Sequence, residues 1–591
     1  MVPTEQPQSG RRSWLLAAAP VLVVLIGALL RLLLVGTGWP RTDADEATMG
    51  LMALHIAQGR HFPSLFYGQA YMGTLEAYLA APWFVAFGPS LFGLRAAVIL
   101  LNVAFVVSMY LFARLVYGNR IALWTVLLLA LALIPVRVVK AVGYAEILLF
   151  GSLVFLLAAW LASSGLPSRR AVDRKRRLVR LAGFGGWGLA AGLGLWSNLL
   201  VAPYVAASGV LLAAFCWREV RSAGWCVVFG VLVGAAPLLV FNLSAAPQQR
   251  SWATLRGLQQ SGGAGAVATG APLAQRATGT VLVSIPYITG ATAGCPQHVR
   301  EWPVSGGSSP YAKRCLAVAG MWTGIVLTLL TVAVGLAGGR LFAHWARARS
   351  GRSPPADDHN TVIRDPTTIA LLAATLTTLA LFVASPTPAL VPREGSRYLL
   401  GLWIALPAVL WPLWIGRPAR QASRPSGTRL LRLLMAGALA MPVVVGTVAT
   451  VWELPVVRAA DHQRRTLIGQ LLSVGADRVY SDYWSCAPLI FSSRERIICS
   501  VLDERLRPGF DRYLPYRDLV AAERHPTYVF PETAPQSALI DRLAQRCGWQ
   551  RERLQGYMVV RSGRVGQRVP PVDSPSVGRR AETTLACDTW D

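Results

Sequence analysis

The sequence predicts an α-helical polytopic membrane protein of about eleven transmembrane helices, with a small exterior α/β domain at its C-terminal end. Three observations predict it. Of the 591 residues, 53% are hydrophobic and 15% charged, where an ordinary soluble chain carries about 25% charged residues. The apolar residues gather in runs of about 20, the length that matches a hydrocarbon core about 30 Å thick. The formal charge of +27, from 57 Lys+Arg against 30 Asp+Glu, sits mostly between those runs. The apolar content excludes a disordered chain. The placement of the arginines removes the nucleic-acid reading that a basic chain invites.

In chain order the expected spans are 14–34, 92–116, 120–139, 144–164, 181–197, 199–217, 225–242, 315–338, 367–385, 398–416 and 433–452. The run 181–217 is divided at Ser197-Asn198, a polar step that suits a short turn. Arg11 and Arg12 precede the first span, and Arg169 to Arg180 follow the fourth. Arg218 and Arg221, Arg340 to Arg352, and Arg417 to Arg432 follow the sixth, eighth and tenth. With a cytoplasmic N-terminus all five positions are cytoplasmic, where short loops collect Lys and Arg. This places the chain in a cytoplasmic (inner) membrane with residues 35–91, a short loop near 140, residues 243–314, residues 386–397 and everything after 453 on the exterior or periplasmic side. The expected domains are a transmembrane domain over 1–455, with a first exterior loop 35–91 and a large one 243–314, an exterior α/β domain 456–565, and a disordered tail 566–591.

The first exterior loop carries three acids close together, Asp43, Asp45 and Glu46. Asp45 reads as the N-cap of an amphipathic surface helix that ends at Gly59. A helix N-terminus favours an ionised carboxylate, which suits a base awaiting a proton. Asp45 as a mere cap, with Asp43 and Glu46 solvated, fits the same residues equally well.

Several segments in order carry a resemblance: Asp45-Glu46-Ala47 after the first span, Tyr67-Gly68-Gln69-Ala70-Tyr71-Met72-Gly73, Ala86-Phe87-Gly88, Leu94-Arg95-Ala96, the Gly-rich Ala191-Gly192-Leu193-Gly194-Leu195-Trp196, and Ser396-Arg397-Tyr398-Leu399-Leu400. Over residues 10–455 the chain resembles GT-C superfamily glycosyltransferases. The likeness is to glycosyltransferase family 39, with the protein O-mannosyltransferases and the lipid A aminoarabinose transferases. The resemblance implies a GT-C-like membrane domain that passes a hexosyl or pentosyl group from a polyprenyl-phosphate-linked sugar to an acceptor glycan, lipid or protein, with inversion. It implies catalytic roles for Asp45, as general base, and Glu46. It implies donor-phosphate contacts from Arg397, with Arg393, Arg95 and Lys140 as further exterior cations. Substrate contacts are expected from Asp43, Tyr67, Glu76, Tyr144, Glu146 and Tyr398. No cofactor is certain; a divalent Mg or Mn fits, with Asp45 and Glu146 as possible ligands.

The chain departs from the family pattern twice. Glu146 stands where an Asp is usual, so a contact to acceptor, metal or donor sugar and a satisfied polar residue at a helix end both fit. Met72-Gly73-Thr74 replaces the Lys-Pro-Pro segment of the aminoarabinose transferases, and Glu76 is added four residues on. In the C-terminal region 478–481 and 527–530 read as strands and 462–474 and 535–547 as helices. Tyr480, Asp482, Tyr483 and Trp484 there suit either sugar contact or the core. Six of the eight cysteines fall on the exterior side, where Cys295 with Cys315, Cys486 with Cys499, and Cys547 with Cys587 are plausible pairs. The expected partners are the lipid-linked sugar, the acceptor and the bilayer, and no nucleic acid. The rival reading is a polytopic transporter or lipid flippase of the cell-envelope pathway, which would carry midplane charges and internal repeats.

Overall fold

The computed structural model describes residues 9–561 apart from 134–139, 165–173, 261–270, 293–294, 296–309, 351–358, 415–426, 524 and 526. The expected tail and Cys587 lie outside the described residues. The chain opens with helices α1 (Ser9–Gly36), α2 (Ala44–Ala57), α3 (Leu75–Phe87), α4 (Leu91–Tyr117) and α5 (Asn119–Leu131). A short hairpin, β1 (Leu65–Phe66) with β2 (Gln69–Gly73), lies between α2 and α3. The residues group into two compact units. Met1–Leu33, Tyr71–Gly73 and Val98–Trp452 form one; Leu34–Ala70, Thr74–Ala97 and Glu453–Asp591 form the other. The first exterior loop thus groups with the C-terminal region rather than with the long helices.

The first unit is helical. Among the described residues nine helices are long and apolar enough to cross a membrane, which makes this a multi-pass membrane protein. One of the nine, Leu199–Ser244, is 46 residues long, roughly 69 Å and too long for one crossing. It breaks at Cys216, whose φ/ψ of −118°/22° is not helical. Its two legs run in opposite directions along Arg174–Ser197. Gly194 meets Val201, Trp187 meets Ser208 and Arg180 meets Glu219 in antiparallel order. Gly188 then meets Val227, and Gly192 meets Val231, in parallel order. The spans expected at 199–217 and 225–242 are therefore the legs of a hairpin. At Gly188 and Gly192 a Cβ would run into the backbone of the second leg, so the Gly-rich stretch is what permits the close approach. The expected span 120–139 is described only to Leu133. The guanidinium of Arg31 bonds the carbonyls of Leu129, Ala130 and Ala132, satisfying the carbonyl end of α5.

The second unit contains a five-stranded sheet in the order β4-β3-β5-β7-β6. Its strands are β3 (Arg478–Ser481), β4 (Ile498–Val501), β5 (Thr527–Pro531), β6 (Gln550–Leu554) and β7 (Tyr557–Arg561). β3 is parallel to β4 and β5, while β7 is antiparallel to β5 and β6. Helix Pro535–Cys547 packs Ile540 and Leu543 onto Tyr528, Phe530 and Val560. Tyr480 stacks on Tyr528 with ring centroids 5.3 Å apart, so it belongs to the core side of the sheet. The last expected span and the expected 462–474 helix are one continuous helix, Gly427–Ser473. The disulfides Cys295–Cys315 and Cys486–Cys499 are both formed. Cys547 is also disulfide-bonded.

Candidate functional site

In the second unit the N-cap of α2 is Asp43, not Asp45. Its backbone is extended, and its carboxylate accepts from the Glu46 amide at 3.0 Å. Asp45 therefore lies inside the first turn. The helix is not a surface helix either: Ala44 and every residue from Glu46 to His55 are buried. Its wide apolar face packs on α3 and on helix Tyr483–Ser492. Gly50 permits the second approach, since a Cβ there would sit 2.7 Å from the Phe491 ring.

Asp45 and Glu46 point to different environments, as neighbours on a helix must. Glu46 is fully buried and takes Arg95 bidentately, Nε to Oε1 at 2.8 Å and Nη2 to Oε2 at 2.6 Å. Thr42 Oγ1 donates to the same Oε2 at 2.7 Å. Arg95 also donates to the carbonyls of Gly38 and Pro40. The geometry departs from the sequence expectation here: Glu46 and Arg95 are each other's partners in the interior, and neither presents a free face to a substrate. Breaking such a buried pair leaves one uncompensated charge.

Asp45 Oδ1 accepts from Tyr483 Oη at 2.8 Å and from Arg512 Nη2 at 2.5 Å. Arg512 also donates to Tyr483 and to the Tyr67 carbonyl. With side-chain exposures of 18% for Asp45 and 9% for Arg512, the carboxylate still reaches solvent while the guanidinium is covered. Burial pushes the Tyr483 phenol well above its usual range, and the Asp45 carboxylate adds to this while Arg512 opposes it. The phenol therefore stays a donor at neutral pH. Two local devices position these partners. Asp482 caps helix Tyr483–Ser492 through the amides of Trp484 and Ser485, and the Cys486–Cys499 disulfide ties that helix to β4. Asp511 pins the loop before Arg512 by accepting from the Val501 amide at 2.7 Å and from Arg517 Nε at 2.8 Å.

Beside this centre His55 is buried between Tyr67 Oη at 2.8 Å, Glu495 at 3.1 Å and Tyr516 at 3.1 Å. Glu495 also takes Arg60 and the Tyr516 hydroxyl. Burial alone would raise the Glu495 carboxyl, but hydrogen bonds from His55, Tyr516 and Arg60 outweigh it and hold the group at about 2. Burial raises the Tyr67 phenol, with Tyr513 and Glu495 adding to it. Sequence reasoning missed Arg512, Glu495, Tyr513 and Tyr516, and singled out Tyr483 only as an open alternative. Asp482 before Tyr483, a cap ahead of an apolar run, is the local signal that announces the helix. Glu76, in the first turn of α3, is buried and away from solvent.

The remaining expected residues lie in the first unit. Arg397 sits over the rings of Tyr144 and Tyr398 at 5.5 Å each, and Arg393 over Tyr287 at 4.6 Å. Both arginines are half-buried, as is Lys140, whereas Glu146 is fully buried on the first turn of helix Ala145–Ser163. The segment Glu394–Ala405 is a 3₁₀-helix. Its later residues Leu402, Trp403 and Ala405, with Leu133, Val326 and Leu439, line an apolar groove. Arg397 precedes Leu402 by five residues, roughly 10 Å at 2 Å per residue. Thr289 and Gly290, on the other wall of the groove, follow Tyr287 directly. The Trp322 indole donates to Thr289 Oγ1 at 2.7 Å, and the Trp403 indole to the Ile288 carbonyl at 3.2 Å. This arrangement suits an apolar chain ending in an anion.

Asp45 and Glu146, the two possible metal ligands, fall in different units. Among the described residues no group of three or more His, Cys, Asp or Glu gathers as a metal site. The donors around Asp45 are a guanidinium and a phenol, which do not fit a cation.

No protein-family model and no curated protein matches this chain. Solved structures do. The chain is similar to ArnT from Cupriavidus metallidurans, a lipid A aminoarabinose transferase, bound to undecaprenyl phosphate: 14% identity, 94% of this chain and 98% of that chain covered, TM-score 0.47. The apo ArnT aligns over the same shares at 14% identity and TM-score 0.45. It is also similar to the Archaeoglobus fulgidus oligosaccharyltransferase in complex with Zn and sulfate, at 13% identity and TM-score 0.46, covering 92% of this chain and 72% of that one.

Proposed function

We propose that this protein is a glycosyltransferase of the cytoplasmic membrane that moves a sugar from a polyprenyl-phosphate donor to an acceptor at the outer face, with inversion. Asp45 carries the reading. It is a carboxylate on the first turn of a buried helix, fixed by one guanidinium and one phenol and still open to solvent. In the step, the Asp45 carboxylate takes the proton of an acceptor hydroxyl as that oxygen bonds to the anomeric carbon. The bond from that carbon to the phosphate oxygen breaks, and its electron pair leaves with the lipid phosphate. The growing charge on the phosphate needs cations close by. Arg393 and Arg397 suit it: each rests on an aromatic face, and a planar guanidinium can give two hydrogen bonds to phosphate. The apolar groove suits the polyprenyl chain.

Tyr483 and Arg512 act as positioning residues that hold the Asp45 rotamer. Glu46 and Arg95 fix the entry into α2, and Asp43 caps it. Tyr144 and Tyr398 support Arg397; Lys140 adds a cation on the same unit. Tyr67 is the further substrate contact of this reading; Glu76 and Glu146, expected as contacts, are fully buried and are not kept as such. In this reading the N-terminus is cytoplasmic and the C-terminal region, with Asp45, exterior, a sidedness supported by the arginine-rich loops.

Purified full-length protein, given labelled polyprenyl-phosphate sugars and a panel of acceptors, tests the reading. Asp45→Asn is expected to lower transfer about 10²- to 10⁴-fold with unfolding temperature unchanged. Full transfer in that variant removes Asp45 as the base.

A further inference from the structure

We infer that the cleft beside Asp45 in the second unit holds a neutral saccharide, so that the acceptor is a glycan rather than a peptide or a lipid phosphate. The inference rests on the transferase reading and narrows it. The cleft is lined by the Asp45 partners Tyr483 and Arg512 together with Tyr67, Tyr513, Tyr516 and Thr48, over an apolar floor that includes Leu51 and Ile490.

Two features select the ligand. The first is charge. Three arginines around the cleft are matched to carboxylates among the described residues: Arg512 to Asp45, Arg517 to Asp511, and Arg60 to Glu495. A site for a phosphate-bearing acceptor needs surplus positive charge, and this one is balanced. The second is the chemistry of the walls. Phenol rings meet at 4.9 Å between Tyr67 and Tyr513 and again between Tyr513 and Tyr516. Against the lining residue Tyr483, Trp484 lies edge-on at 5.0 Å and Phe510 lies 6.2 Å from the same ring. Trp484 is 64% and Phe510 53% exposed, so neither ring is needed to fill a core. Hydroxyl groups for hydrogen bonding beside open aromatic faces for the C–H side of a ring are the two things a sugar requires.

The test uses full-length protein in lipid nanodiscs and saturation-transfer NMR, which needs no donor. The saccharide probes are methyl α-mannoside, chitobiose and maltotriose; a Ser/Thr-containing peptide and inorganic phosphate represent the other classes. Saturation transfer to at least one saccharide at millimolar concentration is expected. Its affinity should fall about tenfold in Trp484→Ala, with a smaller loss in Phe510→Ala, and persist in Asp45→Asn. Three outcomes overturn the inference: no saccharide signal, a saccharide signal unchanged in both aromatic variants, or signals from the peptide or phosphate alone. If the saccharide binds as expected but wild-type protein moves no sugar from any donor, the transferase reading fails and the saccharide site stands.

Discussion

The two units hold the arginines of their candidate sites differently, although each uses both devices: Arg180 pairs with Glu219 in the first, and Arg512 also rests over Phe66, Tyr483 and Phe510 in the second. In the second unit Arg95, Arg512, Arg517, Arg60 and Arg464 each meet a carboxylate, from Glu46, Asp45, Asp511, Glu495 and Asp461. In the first unit Arg120, Arg340, Arg393 and Arg397 rest over the rings of Trp414, Trp411, Tyr287 and Tyr144. A carboxylate cancels the charge it holds, whereas a ring face supports the cation and leaves its charge in place. The difference teaches which unit suits an anion. The helical unit sets ring-supported positive charge beside an apolar groove, as a lipid phosphate would need. In the other unit the pairs around Asp45 match charge, and carboxylate, phenol and ring faces are offered to a neutral polyol.

The comparison breaks first at the buried pair. Arg95→Met leaves Glu46 charged in the interior, and the expected loss is about 3–5 kcal/mol of stability, read as a fall in unfolding temperature in detergent. Adding Glu46→Leu to it should recover most of the loss, because two apolar groups replace two charges. A single variant as stable as wild type would mean the pair is hydrated and the contrast between units is false. Next in size is the Cys486–Cys499 link, which closes a 13-residue separation. Replacing both cysteines by serine is expected to cost about 2–3 kcal/mol and to loosen Tyr483, so that transfer falls even below the unfolding temperature. Smaller still for stability is Arg397→Gln. With ring faces supporting it, its loss should leave stability within about 1 kcal/mol and raise the donor KM about tenfold. An unchanged donor KM would sever the link between ring-supported arginine and the lipid phosphate.

How much of this was legible in the sequence follows from where the information lies. The helical unit was readable because the bilayer imposes a length and a composition. Even the hairpin after Ser197 announced itself by a polar step, although the helical run 199–244 continues through the break at Cys216. The acids of the first loop were visible, but their roles were not, because Asp45 and Glu46 differ by partners far apart in the chain. Arg512 lies 467 positions from Asp45, in a stretch with no motif of its own. Strand β6, Gln-Arg-Glu-Arg-Leu, escaped because an exposed edge strand has no apolar alternation to betray it. Asp43 took the capping place predicted for Asp45 since either can cap, and only backbone geometry chooses between them.

The most delicate measure of the contrast is pH. Arg494 and Glu495 both adopt left-handed backbone angles, with φ of 56° and 61°, which non-glycine residues avoid unless their surroundings enforce it. Backbone bonds at the helix end close this turn, from the Arg494 amide to the Phe491 carbonyl and from the Glu495 amide to the Ile490 carbonyl, and the Glu495 carboxylate takes its own donors: His55, Tyr516 and Arg60. They hold its folded value at about 2, against about 4.3 for the free side chain. A carboxyl lowered on folding stabilises the fold above its unfolded value, and that contribution disappears as pH falls through its folded value. Wild type should therefore lose stability between pH about 4.3 and about 2 from this group. Glu495→Gln keeps the shape but has no proton to gain. Its unfolding temperature should lie below that of wild type at a pH of about 6 and converge on it as the pH drops through that window. Parallel curves for the two proteins would mean that Glu495 contributes shape alone, and that the charge matching of the second unit stops at Asp45 and Glu46.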